Sequence, residues 1–155
     1  MRAYRLDMGC ESLSEFDLSA QGITYRKIPL RTARIHLDVM KMERGYVSED
    51  VVELSPLLKN FELLCAKFCG EHAHTDDEVR YVLEGEGFFD IRSLDDRWLR
   101  VFVEPGDLII VPSERYHRFM LTAAQHIKTI RLFKDSAGWE PIYRPDPVRH
   151  RALRV

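Results

Sequence analysis

Short apolar runs separated by turn residues dominate the chain beyond residue 60. Turn signals such as Gly85-Glu86-Gly87 and Pro105-Gly106-Asp107 stand between runs that are rich in β-branched and aromatic residues. The runs cover residues 61–69, 78–83, 88–92, 98–103, 108–111, 117–121 and 127–133. Several short strands at even spacing predict a mainly β fold, an antiparallel sandwich or barrel.

The first 60 residues show a weaker periodicity. Residues 22–28 partly alternate and predict a strand, whereas the apolar positions of residues 35–42 fit neither a helix nor a strand well. Ser48-Glu49-Asp50 predicts the start of a helix that ends near Pro56, because a cap residue followed by acids suits the positive end of a helix dipole.

These patterns predict a single domain over residues 1–155. We expect helical or irregular decoration at residues 1–60, the β core at 61–133 and a C-terminal segment and tail at 134–155. We interpret the tail arginines, Arg144, Arg149, Arg151 and Arg154, as a solvated basic stretch.

Composition narrows the class of protein. A formal net charge of -2 gives no concentrated basic face, so we expect no nucleic-acid partner. No apolar run approaches the ~18–20 residues of a membrane helix, and acids interrupt the N-terminal stretch where a secretion signal needs an apolar core. We therefore expect a protein of the cytoplasm, with the nucleus left open for a eukaryotic source.

The cysteines do not predict a disulfide framework, because their number is odd. Cys65 and Cys69 have the spacing of half a thiolate metal site, but structural zinc sites more often use closer pairs with a second pair downstream. We interpret both as small apolar residues on a strand.

Two histidines and a glutamate carry the strongest chemical signal. In a strand, residues two apart point to the same side, so His72 and His74 project into one space. The next predicted strand places Glu78, Arg80 and Val82 on one face. Charges that enter the interior of a barrel need a partner or a metal, because desolvating them alone is expensive.

A third imidazole follows about forty residues later. His117 stands just past the turn at Pro112, at the start of a strand. Three neutral imidazoles and one carboxylate suit Fe(II), Ni(II), Mn(II) or Zn(II), and in an octahedral ion they leave two positions for a reactant. Arg80 has an alternative interpretation as a surface salt bridge with Glu84 or Asp90, but its parity with Glu78 favours the site.

The spacing of these residues resembles the cupin pattern. His-x-His-x-x-x-Glu is followed by six residues and Gly85, and then by Gly106, five residues, Pro112 and His117. The chain departs from most cupins at Glu114, where glycine is usual, and at Leu121, where asparagine is frequent.

Further motifs make the chain similar to one cupin subgroup, the acireductone dioxygenase family of methionine salvage, over roughly residues 20 to 146. They are Glu71 through Gly85, Tyr116-His117-Arg118-Phe119, Met42-Glu43-Arg44-Gly45-Tyr46, Arg131-Leu132-Phe133 and Trp139 through Pro145. Cys69-Gly70 departs from the pattern of this family, so the resemblance does not predict the rim of the pocket.

The resemblance implies a cupin domain, a jelly-roll-like antiparallel β-barrel with a few N-terminal α-helices. It implies that one Fe(2+) or Ni(2+) ion is held by four ligands, His72, His74, Glu78 and His117. It also implies that Arg80 lies beside the substrate oxygens and that the pocket is lined by Phe68, Val82, Phe89 and Phe119. Strand alternation puts Phe68, Val82 and Phe119 on the same side as the neighbouring predicted ligands, which agrees with that placement.

The implied activity is the metal-dependent cleavage of 1,2-dihydroxy-3-keto-5-methylthiopentene by O2. In the family the iron form yields formate and 2-keto-4-methylthiobutyrate, and the nickel form yields carbon monoxide, formate and 3-methylthiopropionate. We expect a monomer whose partners are the small-molecule acireductone and O2, with no membrane partner and with secondary protein partners left open. Two alternatives stay open: another small-molecule cupin oxygenase or isomerase, and a metal-binding cupin with a mainly regulatory or protein-interaction role.

Overall fold

Two antiparallel sheets form the body of the molecule. The computed structural model describes residues 1–7, 9–135 and 139–145, so the predicted basic tail at Arg149, Arg151 and Arg154 lies outside the described residues. The elements of the N-terminal part are β1 (Arg2–Arg5), β2 (Glu11–Ser12), α1 (Glu15–Ala20), β3 (Thr24–Lys27), a 3-10 turn (Leu30–Thr32), α2 (Ala33–Arg44) and β4 (Ser48–Leu54). The elements that follow are α3 (Phe61–Cys69), β5 (His72–Ala73), β6 (Glu78–Gly85), β7 (Gly87–Arg92), β8 (Trp98–Val103), β9 (Asp107–Val111), β10 (His117–Leu121), β11 (Ile127–Phe133) and β12 (Ile142–Tyr143).

The strands divide between a seven-stranded and a five-stranded sheet. The larger sheet has the order β12-β5-β10-β7-β8-β1-β2, and the smaller has the order β3-β9-β6-β11-β4. The predicted mainly β antiparallel fold is therefore confirmed. Residues 1–60 do more than decorate it, because they supply β1 and β2 to one sheet and β3 and β4 to the other.

The core lies between the two sheets, and a second apolar layer covers the far face of the smaller sheet. Val82, Ile109 and Val111 face Ile91 and Val101 across the first layer. The second layer packs Val79, Tyr81 and Ile110 against Leu37 and Met40 of α2. Strands β6 and β9 are thus largely buried on both faces, which explains the unbroken apolar run of residues 108–111 in β9.

Helix α2 accounts for the irregular pattern at residues 35–42. Its buried positions, Ala33, Leu37 and Met40, lie on one face at helical spacing. Ile35 and Met42 lie on the exposed side, so apolar residues stand on both faces and blur the period. None of the described helices is long and apolar enough to cross a membrane.

Two predictions about local structure are wrong. Ser48–Leu54 is a strand and not a helix: it alternates in burial and pairs along its whole length with β11. Its acids are satisfied by side chains, since Arg34 donates to Glu49 and Arg131 donates to Asp50.

Conversely, Phe61–Cys69 is the helix α3 and not a strand. Its partly buried residues Phe61, Leu64 and Phe68 recur at helical spacing and pack against the core. Cys65 and Cys69 therefore lie on a helix, where Cys65 is half-buried and Cys69 is exposed.

Candidate metal centre

Four side chains from separate parts of the chain converge at one point. One ligand atom from each of His72, His74, Glu78 and His117 lies within 4.8 Å of the others. All four residues are buried. The structure thus brings together the four ligands that the sequence predicts.

The two sheets meet at this point. His72 opens β5 and pairs directly with His117, which opens β10, so their ring centroids are 4.6 Å apart in the larger sheet. His74 follows β5, with its ring centroid 5.0 Å from that of His72. Glu78 opens β6 in the smaller sheet, so the site bridges the two sheets.

Backbone carbonyls fix the orientation of the three imidazoles. The Nδ1 atoms of His72 and His117 lie 2.7 Å and 2.8 Å from the carbonyl oxygens of Gly70 and Arg115. Nδ1 of His74 lies 3.3 Å from the carbonyl oxygen of Glu140. Because a carbonyl only accepts, each Nδ1 carries a proton, and Nε2 is the ring nitrogen that can bind a metal once it carries none.

The two carboxylate oxygens of Glu78 have different partners. Oε2 faces the imidazoles, at 2.6 Å from Nε2 of His117 and 3.3 Å from Nε2 of His74. Oε1 accepts a hydrogen bond of 2.8 Å from Nε of Arg80. Oε2 is therefore the oxygen that can bind an ion together with the imidazoles.

Burial disfavours the charged form of Glu78, His72 and His117, whereas neighbouring charges outweigh that effect at Glu78 and His117. Burial opposes ionisation of Glu78, but Arg80 and then His117 hold the pKa of this carboxyl well below its usual range. Burial, with a smaller contribution from His117, lowers the pKa of His72 to about 4. Burial would also lower the pKa of His117, but the adjacent Glu78 raises it on balance.

This donor set fits a divalent metal ion. Three Nε2 lone pairs and one ionised carboxylate match the ligand preferences of iron, nickel, manganese and zinc. A buried carboxylate among imidazoles is costly unless a cation compensates it, and one ion of charge +2 does so. The cluster supports a site for one metal ion.

Arg80 belongs to the site and not to the surface. It is buried, and its Nη1 atom lies 3.3 Å from Oγ1 of Thr129. The alternative partner Asp90 is engaged elsewhere, because its carboxylate accepts hydrogen bonds from Arg100 and Arg118. The surface salt bridge considered from the sequence is therefore absent for Asp90, and the contact with Glu78 takes its place.

A small apolar pocket adjoins Glu78 and Arg80. Three of the four predicted pocket residues line it, namely Phe68, Phe89 and Phe119. Val82 is fully buried in the adjoining core, and among the described residues it does not line this pocket. Its predicted role remains a prediction.

Sequence reasoning missed four residues that line this pocket: Val52, Leu54, Ile127 and Thr129. Val52 and Leu54 were hidden because residues 48–54 read as a helix. The alternation of Val52 and Leu54 along the strand was the signal that could have revealed them.

The segment 139–145, which we call the C-terminal strap, lies across the histidines. Trp139 places its ring centroid 5.3 Å from that of His74, and the guanidinium carbon of Arg80 lies 5.2 Å from the same indole ring. Tyr143 pairs with His72 across β12 and β5. The guanidinium of Arg144 donates to Glu71 and Asp96, which anchors the strap.

A two-sheet β fold around three histidines and one glutamate defines a mononuclear metal-binding protein of the cupin type. The solved acireductone dioxygenase from Bacillus anthracis, which has a cadmium ion in its active centre, matches with a TM-score of 0.81 and 31% identity. The match covers 92% of this chain and 98% of that one, and it confirms the predicted cupin fold.

Sequence comparisons agree with the structural match. A family model described as "ARD/ARD' family" matches residues 11–141. An acireductone dioxygenase of Heterostelium pallidum is 41% identical over 93% of this chain and 98% of its own length, and one of Candida albicans is 44% identical over 86% and 77%. The chain belongs to the ARD/ARD′ family, and the predicted class, a metal-dependent dioxygenase, is confirmed.

Proposed function

We propose that this chain cleaves 1,2-dihydroxy-3-keto-5-methylthiopentene with O2 in methionine salvage, and that it uses one Fe(2+) or Ni(2+) ion. One observation carries the proposal: four metal-ligating side chains converge, and one of them, Glu78, lines an apolar pocket together with Arg80. The acireductone dioxygenases among its relatives support the same reaction.

The four ligands would hold the ion through Nε2 of His72, His74 and His117 and through Oε2 of Glu78. When bound, the ion supplies Lewis-acid chemistry and a template for two adjacent enediol oxygens. Because Glu78 is kept ionised and Nδ1 of each imidazole is committed to a carbonyl, the ligand atoms are preorganised.

Arg80 would position the ionised substrate. Its guanidinium has five N–H donors, of which one is committed to Glu78 and one to Thr129. Since Arg80 also lines the pocket, its other donors can bind an anionic substrate oxygen and stabilise the charge that shifts during the reaction.

The apolar walls would bind the methylthioethyl tail and exclude water. Phe68, Phe89 and Phe119 form an aromatic wall, with the rings of Phe89 and Phe119 4.9 Å apart between centroids. A dry pocket also protects a reactive intermediate from hydrolysis.

Reloading the purified protein with a single metal tests the proposal. We expect protein stripped by a chelator to be inactive, and iron-loaded protein to convert the enediol to formate and 2-keto-4-methylthiobutyrate. Nickel-loaded protein should release carbon monoxide, formate and 3-methylthiopropionate. Loss of the enediol's ultraviolet absorbance and product identification measure both outcomes, with elemental analysis confirming one ion per chain. If neither fully loaded form consumes the enediol, the proposal is wrong.

We also propose that one chain suffices for activity, because all four ligands and Arg80 come from the same chain. Activity per chain should then be independent of protein concentration. Analytical ultracentrifugation at the assay concentration gives the oligomeric state directly.

A further inference from the structure

A second and larger cavity lies against helix α3. It is an open groove whose lining comes mainly from α3 and β10. Leu54, Phe68 and Phe119 line both this groove and the pocket beside the metal ligands. The two cavities therefore share one apolar wall, and we call the larger one the α3 groove.

Two further apolar walls of the metal pocket belong to the tightly packed core. Phe89 and Ile127 are only 2% and 4% exposed and belong to the core between the sheets. Glu78 and Arg80 form the charged wall, where an aliphatic chain would desolvate polar groups without replacing their hydrogen bonds. Phe68 of helix α3 is only partly buried and lines both cavities, so the α3 side is the side on which a longer substrate tail has room.

Helix α3 is a lightly packed wall. None of its residues is buried, and it rests on the core through partly buried side chains such as Phe68. The rings of Phe68 and Phe119 meet edge to face with centroids 6.5 Å apart. On the groove side, Cys65 and Ala66 have small side chains that leave room for a ligand.

Resting on the proposed function, we propose that the α3 groove receives the tail of acireductones whose alkyl or thioether chains are longer than methylthioethyl. The enediol end of such a substrate lies at the ligand cluster and Arg80. Its tail passes the shared wall of Leu54, Phe68 and Phe119 and lies along Cys65 and Ala66. The substrate class is then acireductones with unbranched apolar tails of graded length.

Synthetic acireductones with three-, six- and nine-carbon tails test this inference on the metal-loaded enzyme. We expect kcat/KM for the nine-carbon tail to equal or exceed that for the three-carbon tail, because each methylene buried in an apolar site favours binding by up to roughly fourfold. Cys65→Phe should lower kcat/KM for the nine-carbon substrate at least about tenfold and leave the three-carbon substrate within about twofold.

Leu63→Phe is the matched control, because Leu63 lies on the same helix with 58% of its surface exposed and does not line the groove. It should leave every substrate unchanged. Ala66→Phe provides a second blocking variant if Cys65→Phe does not fold. Binding of alkyl hydroxamic acids of the same tail lengths, measured anaerobically by calorimetry on metal-loaded protein, should show the same dependence on length and on the variants.

The outcomes separate this inference from the proposed function. If no acireductone is consumed whatever its tail, the proposed function fails. If the short substrate reacts but kcat/KM falls more than tenfold for the nine-carbon tail, the groove does not receive it. The same conclusion follows if Cys65→Phe slows short and long substrates equally.

Discussion

Each oxygen of Glu78 has its own task at the residue scale. Oε2 faces two imidazoles, while Oε1 is held by Arg80 at 2.8 Å. Arg80 therefore keeps the only anionic ligand of the cluster charged and oriented, so that no proton has to leave Glu78 when a metal binds. The same guanidinium also lines the apolar pocket, so under the proposed function one side chain serves both metal binding and substrate binding.

Removing Arg80 should separate these two tasks. We expect Arg80→Ala to retain one metal ion per chain, because the ion itself compensates the charge of Glu78. Turnover should fall by about 100- to 1000-fold, since a donor to the developing substrate charge is lost. Elemental analysis and kcat of the reloaded variant measure the two effects.

Arg31→Ala is the control for this experiment, because Arg31 is exposed on the 3-10 turn and distant in the fold from the ligands. It should match the wild type in both measurements. Unchanged turnover in Arg80→Ala would remove Arg80 from the mechanism.

The site was largely predictable at this scale because strand parity alone relates His72 to His74 and Glu78 to Arg80. The pairing of His72 with His117 was not predictable from parity, because it depends on how β5 and β10 align in the sheet. The carbonyl partners of the imidazoles were also hidden. Glu140 lies 66 residues from His74, and only the folded chain brings its carbonyl oxygen to Nδ1.

At the scale of secondary-structure elements, two local sequence patterns gave wrong predictions because each is compatible with both a helix and a strand. Ser48-Glu49-Asp50 has the composition of a helix start, but this segment pairs along its whole length with β11 as an edge strand. Phe61–Cys69 is apolar enough for a strand, yet Phe61, Leu64 and Phe68 bury one helical stripe. In both segments tertiary packing determines the secondary structure, and this packing cannot be read from the periodicity of a single sequence.

The turn between β6 and β7 depends on Gly85. Gly85 has φ +73, and an added Cβ would lie 2.1 Å from the carbonyl oxygen of His126. Gly85→Ala should therefore cost about 2–5 kcal/mol, the sum of left-handed strain and backbone displacement. Equilibrium urea denaturation measures this loss.

Gly45→Ala is the matched control for the turn. Gly45 has nearly the same φ of +74 at the end of α2, but nothing lies within 4 Å of the added Cβ. This variant should lose only about 1–2 kcal/mol. Equal losses at both glycines would show that the contact with His126 does not matter.

The C-terminal strap should contribute to metal affinity through its anchor. Arg144→Gln removes the ion pairs with Glu71 and Asp96 that hold the strap against β5. Because Glu140 of the strap accepts from Nδ1 of His74, we expect metal affinity to fall about tenfold. Competition with a chelator of known affinity measures the change in Kd.

Arg26→Gln serves as control for the strap, since Arg26 is exposed on β3 and lies in the other sheet. Its Kd for metal should equal that of the wild type. An unchanged Kd in Arg144→Gln would show that the strap does not orient His74.

For the molecule as a whole, the metal centre is a junction between its two sheets. His72 and His117 belong to the seven-stranded sheet, and Glu78 belongs to the five-stranded sheet. An apolar layer already joins the sheets, so we expect the fold to form without the ion. A metal bound to both sheets nevertheless opposes their separation, because the unfolded chain cannot present the same four ligands at one point.

Metal removal should therefore lower thermal stability without unfolding the protein. Binding at a free metal concentration 1,000 times Kd stabilises the folded state by about 4 kcal/mol, which for a chain of this size corresponds to roughly 8–16 °C in Tm. We expect chelator-stripped protein to melt lower by about that amount, and reloading to restore Tm. Glu78→Gln should have the same Tm with and without added metal, because it loses the ligand contributed by the smaller sheet. The control is Glu84→Gln, at a largely exposed position of the same strand, whose Tm should respond to metal like that of the wild type. If chelator and added metal both leave the Tm of the wild type unchanged, the ion does not stabilise the packing of the two sheets.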